Sequence, residues 1–104
     1  MGSALVDRVL LEELPDDHGH GKVLCATGVH VRLGTSWQAL YVAKGGAVVL
    51  CAGSLHSPCI LERSGLGDPE VLGPLGIPVM ASLPLVGNRL QEHAYLRLAL
   101  RLNN

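Results

Sequence analysis

The run Gly53-Ser-Leu-His-Ser-Pro-Cys-Ile-Leu-Glu-Arg-Ser-Gly-Leu-Gly67 gathers the residues of this chain whose types and spacing best suit ligand chemistry. Gly53 and Ser54 follow an apolar run and precede a helix signal. Absent or small side chains there let main-chain N–H groups approach an anionic or polar ligand, as nucleotide-binding α/β folds do. The same small residues also permit tight strand–helix packing with no ligand at all. His56 can exchange a hydrogen bond near the turn or simply cap or pack. Cys51, His56 and Cys59 lie close together, with His18 and His20 upstream. Zinc sites carry paired ligands at roughly two- to four-residue gaps on each half, and this spacing does not supply them. No G-x-S-x-G occurs, and Gly65-Leu-Gly67 runs into Asp-Pro-Glu, so neither a nucleophile elbow nor a dinucleotide fingerprint is present.

Several elements must position these residues. Ala47-Val-Val-Leu-Cys-Ala52 is a short apolar run bounded by Gly45-Gly46 and Gly53, which predicts a strand near 46–52 covered on both faces. Ser57 as N-cap and Pro58 at the first helical position predict a helix near 57–65, stopped by Gly65. Asp68-Pro-Glu70 predicts a second helix near 69–75, ended by Gly76. Upstream, aliphatic runs predict strands near 5–12, 22–33 and 37–43, separated by the loop Pro15-Asp-Asp-His-Gly-His-Gly21 and followed by the Lys44-Gly-Gly46 turn. Downstream, Pro78 holds Ile77 extended. From Tyr95 the aliphatics recur every second residue through Leu102, which predicts a further strand.

The composition fits a globular chain with few bulky anchors. Of 104 residues, 48% are hydrophobic and 16% charged, with Trp37, Tyr41 and Tyr95 the aromatics and no Phe. One domain of this length buries only a little more than about 60% of its unfolded surface, so stability is modest. Net charge is −1, acidic residues cluster in the first seventeen positions, and no basic surface for nucleic acid is visible. The start carries no signal-peptide pattern, and no apolar run reaches the roughly 18 residues that span a bilayer. Cys25, Cys51 and Cys59 form no C-x-x-C pair, which argues for buried reduced thiols rather than a disulfide framework.

The central run resembles the second signature of the glucose-methanol-choline (GMC) family of FAD-dependent oxidoreductases. Gly53, Ser54, Ser57, Pro58, Ile60, Leu61, Ser64, Gly65, Leu66 and Gly67 hold its specified places. A second block follows at the right distance: Leu75-Gly-Ile-Pro-Val79, then Leu83-Pro-Leu-Val-Gly-Asn-Arg-Leu-Gln-Glu-His93, similar to the family's LGIPV and LPGVGxNLQDH stretches. Glu92 stands where the family usually has Asp, and Arg89 falls in a variable place.

The resemblance implies an α/β fold: part of a Rossmann-like, FAD/NAD(P)-binding domain spanning 1–104, with an antiparallel β excursion and two short helices. It implies FAD as cofactor, contacted by Ala52, Gly53 and Ser54 near the adenosine and pyrophosphate and by Asn88 near the flavin. Without the family, Asn88 reads as a helix cap and Leu90 as core. The family oxidises the CH–OH group of a small alcohol by hydride transfer to the flavin. Its amino-terminal Gly-x-Gly-x-x-Gly turn and its carboxy-terminal His segment have no counterpart in these residues, and His93 is not that catalytic base. No catalytic residue is therefore assigned, and the chain is expected to be a fragment that builds part of a cofactor cradle. The alternative is a non-catalytic remnant or interaction module derived from the family.

Overall fold

The aliphatic runs beginning at Leu5 and Val23 can bury only one face each, and pairing with one another satisfies their backbone N–H and C=O groups. In the computed structural model, which describes residues 4–16, 19 and 21–99, β1 (Ala4–Pro15) and β2 (Lys22–Leu33) are antiparallel. Strand β3 (Ser36–Tyr41) adds to β2, giving the order β1-β2-β3. The β2–β3 connection is a two-residue turn whose first residue, Gly34, has φ 61°.

Strand β1 is not regular. Val6 pairs with Val31 and Arg8 with His30, so Asp7 has no residue opposite it and forms a bulge. Arg63 Nε donates to the Asp7 carbonyl at 2.7 Å, and the Asp7 carboxylate lies within 3.4 Å of Arg8, His30 and Arg63. His30 in turn stacks on Trp37, ring centroids 4.9 Å apart.

Helix α1 (Gly53–Arg63) packs on β1, and its end follows the glycine rule. Ser64 caps it, Gly65 takes φ 84°, and the Gly65 N–H donates to the Glu62 carbonyl at 2.9 Å. A side chain at Gly65 would collide with the Pro78 carbonyl and with Met80, so both backbone angle and space demand glycine. Strand β4 (Leu66–Gly67) then pairs in parallel with β5 (Ala81–Ser82). Between them lies α2 (Pro69–Leu72), where Asp68 accepts from the Glu70 N–H at 3.0 Å and Pro69 opens the helix. Turns carry the chain from Leu72 to Gly76, which has φ 68°.

The structure corrects five expectations. Helix α2 ends at Leu72 with Gly73 as its C-cap, rather than running to 75. Helix α1 starts at Gly53, not after Ser57: the Ser57 hydroxyl reaches back to accept the Ala52 N–H at 3.1 Å, and Pro58 lies inside the helix. The expected strand 46–52 has no regular strand structure, and Val49 is 79% exposed. A strand exists only where a neighbour accepts from its N–H groups and donates to its C=O groups, and among the described residues no ladder runs along 46–52. For the same reason residues 95–99 form no strand, with Tyr95, Leu96 and Leu98 exposed; positions 100–102 of that expected strand lie outside the described residues. Finally, the Cys51 and Cys59 thiols are exposed rather than buried, and Cys25 is half-buried, all three being free.

Among the described residues the buried apolar side chains are Val9 of β1, Val31 of β2, Ile60 of α1 and Leu72 of α2. The core thus sits where α1 crosses the bulged strand and where α2 folds back. The radius of gyration is 19.5 Å, against about 13 Å for a compact domain of this length. Much apolar surface is accordingly left outside the core.

Candidate functional site

The N-terminus of α1 is where sequence and geometry converge. Gly53 opens the helix at φ 86°, and a Cβ added there would meet nothing within 4 Å. No side chain caps the helix, so the N–H groups of its first turn face outward, with the positive end of the helix dipole behind them. Pro58 has no N–H, so the Ser54 carbonyl lacks its usual intrahelical donor. Ser54 therefore offers both a hydroxyl and a main-chain acceptor.

A second segment closes on this helix. Gly87 has φ 75°, a left-handed angle that favours glycine, and a Cβ there would press on the Glu62 carboxylate of α1. The loop at Gly87 thus lies against α1 beside Glu62. Asn88 is held by two local bonds: its Nδ2 donates to the Pro84 carbonyl at 2.5 Å, and its N–H to the Leu85 carbonyl at 3.3 Å. The next residue, Arg89, has φ 62°, a left-handed angle rare outside glycine and often found near functional turns.

These residues share a cleft of ≈ 250 Å³, lined by Ser54, Ser57, Pro58 and Leu61 of α1 and by Val86, Gly87, Asn88 and Leu90 of the loop. Its size suits one part of a large ligand rather than the whole. Ala52 lies elsewhere, on a second cavity of ≈ 250 Å³ with Leu5, Val6, His56, Ile60 and Arg63. The structure thus brings Ser54 and Asn88 together and separates Ala52 from them, across the helix start. Sequence reading missed Leu5 and Val6, because strand-to-helix contacts leave no local signature. It also missed Glu62, which looks like an ordinary exposed helix residue.

Small residues at a helix start, an uncapped N-terminus and flanking apolar clefts are the parts from which folds build nucleotide-cofactor sites. Residues 1–95 match the sequence profile described as GMC oxidoreductase, and the chain belongs to that family. GMC oxidoreductases are FAD-dependent. The chain is 44% identical over 90 residues to an oxygen-dependent choline dehydrogenase of Pseudomonas syringae pv. tomato, a match covering 86% of this chain and 14% of that protein. A protein of the same name from Klebsiella pneumoniae is 46% identical over 68 residues, covering 65% of this chain and 12% of the relative. One from Chromohalobacter salexigens is 59% identical over 46 residues, or 44% of this chain and 8% of the relative. The chain spans 14% or less of the length of these curated relatives.

The residues present fit such a cofactor. The open left-handed Gly53 and the uncapped helix end leave space and donors for a phosphate, and the flanking clefts have apolar walls. Among the described residues no group of three or more His, Cys, Asp or Glu gathers at metal-binding distance. No helix among them is long and apolar enough to cross a membrane.

Proposed function

We propose that this chain forms part of the FAD site of a GMC-type oxidoreductase acting on the CH–OH group of a small alcohol. The observation that carries the reading is the shared cleft on α1 whose walls include both Ser54 and Asn88. Gly53 and Ser54 would present main-chain N–H groups to the cofactor's pyrophosphate. Ala52, with Leu5 and Val6, would give a flat apolar wall to its adenosine end. Asn88, anchored through its amide nitrogen, keeps its carboxamide oxygen as an acceptor for the flavin end. When bound, FAD supplies the hydride acceptor for alcohol oxidation. The residues of this chain bind and orient it and, with the apolar walls, exclude water. The relatives' name points to choline as the alcohol.

The unpaired segment 46–52 belongs to the same reading. In a Rossmann-like sheet it would run beside other parallel strands, which would cover Val49 and complete the ladder that its backbone lacks here.

Titrating FAD with the chain and following flavin absorbance tests the proposal. Binding tighter than about 1 mM, on the order of 4 kcal/mol, with Gly53→Val weakening it, supports the reading. An unperturbed flavin spectrum at millimolar chain would leave the alternative of a non-binding relative of the family.

A further inference from the structure

A cavity of ≈ 390 Å³, larger than either cleft at the helix start, opens at the opposite end of α1, about 14 Å further along the helix axis. It is within the size range of small-molecule sites. Val9, Leu11, Ile77 and Met80 give it aliphatic walls, and Gly65 and Gly76, both left-handed, keep side chains out of it. Among the described residues, the charged ones lining it are Arg8 and Arg63, and no carboxylate lines it.

We propose that this cavity binds an aliphatic monocarboxylate, its chain against the aliphatic walls and its head on the guanidinium N–H donors of Arg8 and Arg63 that Asp7 leaves free. Charge decides the head group. Among the described residues Asp7 is the one carboxylate in contact with both arginines, meeting Arg8 Nε at 3.2 Å and Arg63 Nε at 3.3 Å. Two guanidinium charges against one carboxylate leave a net positive charge, and each planar fork retains further N–H donors for a bidentate partner. The C-terminal end of α1 opposes an anion with roughly half a unit of negative charge, which is smaller than the net positive charge beside it. A cation would meet two guanidinium groups and, among the described residues, no lining carboxylate. An uncharged aliphatic ligand would leave the guanidinium groups unused. The inference does not depend on FAD, because the cavity shares no residue with the Ser54–Asn88 cleft and only Arg63 with the Ala52 cavity.

The test is calorimetric titration of the full chain with octanoate, octan-1-ol and octyltrimethylammonium, with amide shifts mapped by NMR. The expected result is preference for octanoate, shifts at Val9, Leu11, Gly65 and Ile77, and about tenfold weaker binding by Arg8→Gln, as for loss of one charge-assisted contact. Arg8 is half-exposed and its loss leaves the Arg63–Asp7 bond in place, and denaturant curves confirm that the variant is folded. Octan-1-ol binding as tightly as octanoate, an unchanged affinity in Arg8→Gln, or no octanoate binding would overturn the proposal.

Discussion

The Val9 N–H donates to Ser64 Oγ at 2.8 Å, and the same hydroxyl donates to the Ile60 carbonyl at 2.6 Å. One buried side chain thus ties the first strand to the end of the helix whose other end carries the candidate site. Ser64 is a specified position of the family signature. Its place in the structure gives that residue a structural task, holding α1 at a set distance from β1, rather than a contact with cofactor.

Ser64→Ala leaves the buried Val9 N–H without an acceptor, which costs about 1–3 kcal/mol. Urea denaturation should show that loss, and hydrogen exchange at the Val9 amide should accelerate by a matching factor. A stability change within error would mean that water replaces the hydroxyl.

Gly65→Ala should be worse than a helix-propensity scale suggests. The residue is left-handed, which costs an L-residue about 1–2 kcal/mol, and its Cβ would press on the Pro78 carbonyl and come within 2.8 Å of Met80 Cγ. The Met80 N–H donates to the Gly65 carbonyl at 2.8 Å, so the β4–β5 pair should loosen together with the turn. Faster amide exchange at Met80 and Ala81, with a fall in the denaturation midpoint, checks this.

Asp7→Ala makes the contrasting case. Its carboxylate meets three basic side chains, all of them partly exposed, and exposed ion pairs contribute only about 0–1 kcal/mol each. The Arg63 bond to the Asp7 carbonyl survives the substitution. Denaturation should therefore register less than the loss in Ser64→Ala, although more ion pairs are removed. The opposite order would make the charged cluster, not the buried serine, the main tie between β1 and α1.

How much of this was legible in the sequence depends on the range of each interaction. Gly65 and the Asp68-Pro69 pair mark helix boundaries through local sterics, and the structure places a helix end and a helix start there. The start of α1 misled because Ser57-Pro58 is a good local start signal, yet the Ser57 hydroxyl serves the Ala52 N–H upstream. Residues 46–52 have the composition of a covered strand, but pairing needs a neighbour that composition cannot name. The Asp7 bulge and the Glu62–Gly87 contact arise from register and tertiary packing, and neither leaves a periodic trace. At the site, small residue types pointed to Gly53 and Ser54, and family resemblance alone pointed to Asn88. That Ser54 and Asn88 share a cleft while Ala52 faces another could be read only in three dimensions.

The missing ladder along 46–52 has its own consequence. Amides of Val48, Val49 and Leu50 should exchange at close to unprotected rates, while those of Val29 and Val31, inside the β1–β2–β3 sheet, should be protected. Protection at Val49 comparable to that at Val31 would show that the segment pairs in solution, within the chain or between copies.

The most direct measurement of the central claim is an amide and side-chain NMR titration of the chain with FAD. The largest shifts are expected at Gly53 and Ser54 and at the Asn88 side chain, with smaller ones at Val6 and Ala52, and none of comparable size at Ile77 or Met80. Shifts at saturating FAD that bypass Gly53, Ser54 and Asn88 would contradict that claim.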